Sequence, residues 1–159
     1  IIEYSLIFNF QLMTWQCKTF SELTNEELYK ILQLRNEVFV VEQNCSYQDC
    51  DGKDLKAHHF SAWDDGVLVA YTRLLPKGVS YDAGASIGRV LTSPKVRGQK
   101  LGKELMQKSI DKIYELYGQM PIIIGAQLYL KRFYESFAFV QQGEGYLEDN
   151  IPHIVMEKK

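Results

Sequence analysis

The sequence predicts an α/β protein of the α+β kind: a mixed sheet with helices packed on it, in the order β-α-β-β-β-α-β-α-β-β. Three observations point there. Hairpin signals crowd the first half of the chain, so its strands pair with their sequence neighbours. A long amphipathic stretch after residue 98 runs into the continuously apolar Ile122-Ile123-Ile124, as a strand covered on both faces after a parallel crossover would read. The 159 residues, 46% hydrophobic and 24% charged, fit one core, with no internal repeat, low-complexity tract or interdomain linker.

Residues 1–12 alternate, with Ile2, Tyr4, Leu6, Phe8, Phe10 and Leu12 apolar, as in a half-buried strand. Met13, a natural start residue, equally marks them as an N-terminal extension ahead of a single domain over 13–159. Thr14 to Phe20 is a strand. Thr24-Asn25-Glu26-Glu27 is a capping box that opens a helix, and Leu28, Ile31, Leu32, Val38 and Phe39 give that helix its apolar stripe. A polar, turn-rich loop occupies 43–57. Ala57–Trp63 and Val67–Leu75 are strands joined by the hairpin signal Asp64-Asp65-Gly66. Ser86–Leu91 is the next strand, broken by Thr92-Ser93-Pro94. The long helix spans roughly 98–117, with Leu101, Leu105, Ile110, Ile113 and Leu116 on or beside its apolar face, and Gly118 and Pro121 stop it. After Ile122-Ile123-Ile124 come a shorter helix, Gln127–Phe137, and two closing strands, Phe139–Gln142 and His153–Glu157.

Composition excludes several function classes. A net charge of −2 lacks the basic bias of a nucleic-acid binder. No apolar run is long enough to cross a bilayer, and the N-terminus lacks signal-peptide features, so no membrane partner is expected. An odd count of cysteines (Cys17, Cys45 and Cys50) fits reduced thiols and a cytoplasmic location, with a Cys45–Cys50 pair disfavoured. His58 and His59 point to opposite faces of a strand, and with Cys45 and Cys50 they match no zinc spacing, so no metal is expected.

The chemistry concentrates between Ile87 and Gly102, where a strand runs through a tight turn into a helix that begins with glycines. Such a junction aims unpaired amides and the positive end of a helix dipole at one point, an anion site suited to phosphate. Gly98 and Gly102 clear the approach, while Lys95, Arg97, Lys100 and Lys103 add positive charge. A helix with a glycine start and a solvated basic face would read the same way. The stretch lacks the Gly-Lys-Ser/Thr ending of an ATP-binding P-loop and the dinucleotide spacing, which disfavours a nucleotide-phosphate enzyme.

Arg97-Gly98-Gln99-Lys100-Leu101-Gly102 resembles the Arg/Gln-x-x-Gly-x-Gly/Ala acetyl-CoA pyrophosphate loop of the GNAT acetyltransferase superfamily, with Lys100 in place of its middle glycine. Lys100 is expected to keep a right-handed backbone and still present its N–H. Phe133-Tyr134-Glu135-Ser136-Phe137-Ala138-Phe139 resembles the second signature of that superfamily, with Ala138 where the family has glycine. Three segments resemble its ElaA group: Leu34 to Gln43, Tyr47-Gln48-Asp49 with Asp51-Gly52, and Glu148 to His153. Together they cover about residues 14 to 157.

The resemblance implies the GNAT acyl-CoA N-acyltransferase fold and transfer of an acetyl group from acetyl-CoA to a primary amine by direct attack in a ternary complex. Arg89, Val90 and Leu91 would face pantetheine and the thioester. Arg97, Gly98, Gln99, Lys100, Leu101 and Gly102 would hold the pyrophosphate. Tyr134 matches the thiolate-protonating tyrosine; without the motif it would read as a core aromatic with a bonded hydroxyl. Two base candidates remain open: Glu42, at the end of the first helix, and His153, whose side-chain type exchanges protons near neutrality. Acidic residues at Glu42, Asp49, Asp51, Asp54, Glu148 and Asp149 would line the acceptor mouth and favour a cationic amine, or else are solvated loop charges. The acceptor would be a small molecule or a peptide. An exposed strand edge leaves both monomer and homodimer open. The alternative function is a non-catalytic acyl-CoA-binding sensor module with the same fold.

Overall fold

Strand β1 (Met13–Thr19) opens the computed structural model, which describes residues 13–159; the alternating segment 1–12 lies outside the described residues. Helix α1 (Asn25–Arg35) begins at the capping box: the Thr24 hydroxyl accepts from the Glu27 amide at 3.1 Å and the Glu27 carboxylate accepts from the Thr24 amide at 2.9 Å. The helix does not continue in α form. Residues Asn36–Glu42 widen into a π-helical turn, a local geometry that often accompanies functional sites.

Strands β2 (His58–Asp64), β3 (Val67–Leu75) and β4 (Ser86–Thr92) follow, and the first four strands form an antiparallel sheet in the order β1-β2-β3-β4. Asp65 and Gly66 turn the β2–β3 hairpin with φ of 46° and 76°, as the sequence signal requires. Nearly all of β3 is buried because both faces are covered. Phe60, Ala70, Leu74 and Ile87 pack against Leu105, Met106, Ile110 and Ile113 of α2 (Leu101–Tyr117). Trp63, Leu68, Tyr71 and Leu91 pack on the opposite side against Ile31, Leu34 and Val38.

The remaining strands, β5 (Ile122–Gln127), β6 (Val140–Glu148) and β7 (Ile151–Lys158), form a second antiparallel sheet, β5-β7-β6. Between β5 and β6 a single 3₁₀ turn leads into the short helix α3 (Lys131–Glu135), so the expected helix from Gln127 is shorter and Gln127 belongs to β5. Strands β6 and β7 are longer than expected and meet in a turn at Asp149 and Asn150, with φ of 48° and 63°.

The expected parallel crossover is present but brief. The two sheets join at one parallel bridge, Ala85 with Ile122, where the Ala85 amide donates to the Pro121 carbonyl at 3.0 Å and the Ile123 amide to the Ala85 carbonyl at 2.8 Å. Gly84 allows this approach: a Cβ there would lie 2.1 Å from the Pro121 carbonyl oxygen. Beyond the bridge no further pairing joins β4 to β5 among the described residues, and residues of both strands line one cleft.

Candidate active site

The cleft has a volume of about 660 Å³, within the usual range for small-molecule sites. Its β4 wall carries a bulge. Tyr71 pairs with Leu91 and Arg73 with Gly88, so Thr72 faces two residues, Arg89 and Val90. Arg89 takes left-handed backbone, φ 53°. Thr72 is fixed from behind by a 2.8 Å hydrogen bond to Ser109 of α2. Arg89, Val90 and Leu91 all line the cleft, as does Tyr134.

Where β4 meets α2, a second recess of about 360 Å³ is lined by Arg97, Gly98, Lys100, Leu101 and Gly102, together with Phe133. Thr92 and Arg97 border both spaces, so the two adjoin and are taken together as a trough. Gln99 lines neither space, so five of the six loop residues come together and the sixth does not. The amides of residues 98–102 donate to no backbone carbonyl among the described residues, and no side chain caps α2. The helix N-terminus therefore presents open donors and its dipole to this recess.

Lys100 corrects the sequence expectation. Its backbone is left-handed, φ 62° and ψ 7°, rather than right-handed. Ala138 is left-handed too, at φ 65°. Both stand where the signatures carry glycine, and glycine takes such backbone without a Cβ clash.

Tyr134 on α3 is 6% exposed and packs edge-on against Phe133 and Phe139, with ring centroids 5.1 and 6.2 Å away. Burial pushes its phenol up, so the proton is held. No hydrogen bond engages that hydroxyl among the described residues, unlike a structural core tyrosine. His153 on β7 stacks on Tyr146, with centroids 5.8 Å apart. Its Nδ1 lies 2.8 Å from the Ile151 carbonyl, which can only accept, so Nδ1 carries a proton and the lone pair of the neutral ring falls on Nε2.

Glu42 and His153 both line the cleft, but the Glu42 carboxylate is held by Arg97. It takes two hydrogen bonds from Arg97, at 2.5 and 2.9 Å, which ties the end of the first helix to the loop that opens α2. The hydrogen bond and charge of Arg97 hold its carboxyl below the ordinary range, which makes it a weak base in this arrangement.

The acidic cluster is also corrected. Asp49, Asp51 and Asp54 are not free at the acceptor mouth; they form a partly buried cluster with Arg35, Arg73 and Arg89. Burial would raise the Asp51 carboxyl, but Arg73 outweighs it and holds the group well below the usual range. Glu42, Asp51, Glu148 and Asp149 line the cleft, Glu42 and Asp51 with arginine partners, while Asp49 and Asp54 do not line it. The arginine cluster is missing from the sequence reading. Its signal is a pair of cations inside apolar stripes, Arg35 beside Leu34 and Arg73 beside Leu74, which cannot be buried without partners.

His59 is buried and neutral: its Nε2–H donates to the Asp54 carbonyl at 3.0 Å, and its Nδ1 accepts from the Tyr71 hydroxyl at 2.8 Å. Cys17, Cys45 and Cys50 are free thiols. Among the described residues there is no cluster of His, Cys, Asp and Glu with metal-ligand geometry. Among the same described residues no helix is long and apolar enough to cross a membrane.

A family model for the acetyltransferase (GNAT) domain matches residues 16–159. The chain belongs to the GNAT acetyltransferase family. Protein ElaA of Escherichia coli is 43% identical to it over 150 residues, spanning 93% of this chain and 97% of ElaA. The crystal structure of E. coli ElaA matches with a TM-score of 0.86 over 93% of this chain and all (100%) of that one. An acyl-CoA N-acyltransferase from Pseudomonas aeruginosa, 46% identical, matches with a TM-score of 0.88 over 92% of this chain and 99% of that chain. An aminoglycoside 6'-N-acetyltransferase complexed with coenzyme A, 16% identical, shares the fold with a TM-score of 0.66. The trough is therefore a feature of a GNAT acetyltransferase family member.

Proposed function

We propose that this chain transfers the acetyl group of acetyl-CoA to a primary amine by direct attack, with both substrates held in the trough. The observation that supports it is adjacency: the uncapped start of α2, lined by Gly98, Lys100, Leu101 and Gly102, adjoins across Thr92 and Arg97 the cleft that holds the β4 bulge and Tyr134. The diphosphate suits the helix N-terminus, where open amides, Arg97 and Lys100 supply positive potential. The acetyl thioester suits the bulge, where the backbone around Val90 and Leu91 can polarise the carbonyl oxygen.

The chemistry needs three displacements. The amine nitrogen bonds to the carbonyl carbon and the C–S bond breaks. Tyr134 gives its proton to the departing sulfur, and His153 Nε2 takes the proton that the amine must lose. His153 is favoured over Glu42 because its lone pair is free while Arg97 occupies the Glu42 carboxylate. Holding both reactants in one trough supplies much of the rate. A panel of amines mixed with acetyl-CoA, read by release of free CoA thiol, tests the activity. Tyr134→Phe should lower kcat by about a hundredfold. Thermal stabilisation by acetyl-CoA with no thiol release from any amine would support the sensor module instead. Equal turnover of acidic and basic amines would remove the preference for a cationic acceptor, which now rests on Glu148 and Asp149.

A further inference from the structure

Left-handed backbone at an arginine in mid-strand needs something to hold it. At Arg89 the hydrogen-bonded hold is Asp49, with Asp51 Oδ2 a looser 3.6 Å from its Nη2. The Arg89 Nε donates to Asp49 Oδ1 at 2.7 Å, and its Nη2 donates to the Asp49 carbonyl at 2.9 Å. The guanidinium lies beside the Phe39 and Tyr47 rings, 6.0 and 5.8 Å from their centroids.

Asp49 is itself anchored from the core. Arg35, fully buried on α1, donates to Asp49 Oδ2 at 2.7 Å and to its carbonyl at 3.1 Å. The Tyr47 hydroxyl donates to Oδ1 at 2.9 Å. Arg35 is locked in turn by Asp54 at 2.7 Å. A rigid path therefore runs from α1 through Asp49 to the bulged backbone of β4, and it crosses the polar 43–57 loop. Among the described residues no hydrogen bond or ion pair joins this path to residues 98–102.

The geometry points to Asp49 as a positioning residue: by clamping Arg89 it holds the β4 bulge in the conformation that turns the Val90–Leu91 backbone toward the thioester. This rests on the acetyltransferase reading above and deepens it. The acid acts through Arg89 and its backbone. It carries no proton in the reaction.

The test reads carbonyl polarisation directly and needs no acceptor amine. Acetyl-CoA labelled with ¹³C at the carbonyl is bound to the protein, and its resonance is compared with that of the free thioester. Affinity for CoA is measured in parallel by calorimetry. Wild type should shift the carbonyl downfield. Asp49→Asn should lose most of that shift and, with a working acceptor, about tenfold or more in kcat. Its affinity for CoA should stay within about twofold, because the diphosphate loop is separate. Asp49→Asn/Arg89→Gly should recover much of the shift, since glycine holds left-handed backbone unaided. A merely structural role for Asp49 would lower affinity and thermal stability together and would not be rescued by glycine at 89. An unchanged carbonyl shift in Asp49→Asn, or a double variant no better than the single, would overturn the assignment while the acetyltransferase reading stands. Failure of wild type to bind acetyl-CoA would overturn both.

Discussion

Ala138→Gly isolates the energetic meaning of the left-handed positions. Ala138 ends the turn after α3 at φ 65°, and its side chain is exposed, so removing one methyl sacrifices no packing. An L-residue pays about 1–2 kcal/mol for left-handed backbone. Glycine avoids that penalty but loses about 0.5–1 kcal/mol more conformational entropy on folding. The difference leaves Ala138→Gly more stable by about 0.5–1 kcal/mol. For a chain of this size that is a rise in Tm of about 1–4 °C. Urea unfolding should show a higher midpoint at unchanged m-value. Gly118→Ala, at φ 80° after α2, is the opposite control and should lower the midpoint. A lower midpoint for Ala138→Gly would mean that the left-handed geometry at 138 carries no strain, and the same account of Lys100 would fall with it.

Other outcomes follow from the same contacts. Glu42→Gln releases Arg97 from an exposed pair, so CoA should bind tighter by up to about fivefold at low salt, with the gain disappearing in 0.5 M salt at about a 4–5 Å screening length. A kcat unchanged in that variant would confirm that Glu42 is not the base. Gly84→Ala forces a Cβ into the Pro121 carbonyl and should destabilise by about 2–4 kcal/mol in urea, with loss of the Ala85 bridge. Burial lowers the His59 pKa below its unfolded value of 6.5, so the unfolded chain takes up a proton first. That stability is present above pH 6.5 and is lost as pH falls below it; the Asp51 and Asp54 contributions are lost below their unfolded value of 3.8. A Tm that stays flat between pH 7.5 and 5 would contradict the buried neutral imidazole.

Local signals in the sequence were reliable where the chain's own backbone decides the structure. The Thr24 capping box, the Asp65-Gly66 turn and the α2 stripe of Leu105, Ile110 and Ile113 all appear where their spacing puts them. The helix begins at 101 rather than 98 because Gly98 and Lys100 are both left-handed. Strand β6 was half hidden: Gly143 and Gly145 interrupt the alternation, and a register shift between Gln142 and Tyr146 bends it. Non-local features were not legible. Nothing around Ile122 reveals that it meets β4 through one bridge, since that depends on Gly84 and Pro121 touching across the fold. The acidic residues of the 43–57 loop read as a free cluster because their arginine partners lie 14 to 40 positions away. That Arg97, Gly98, Lys100, Leu101 and Gly102 line one recess was legible, by contrast, because a strand-to-helix junction gathers near neighbours and needs no distant partner.

The single bridge at Ala85 and Ile122 makes the two sheets resemble plates riveted at one end. Past the rivet, the facing edges of β4 and β5 are left without each other's hydrogen bonds. Under the proposed function, a long, amide-bearing ligand wedged between them would supply a second fastening. Occupancy should then raise the melting temperature and slow amide exchange along both edges together, so that filling the gap completes the molecule mechanically as well as chemically.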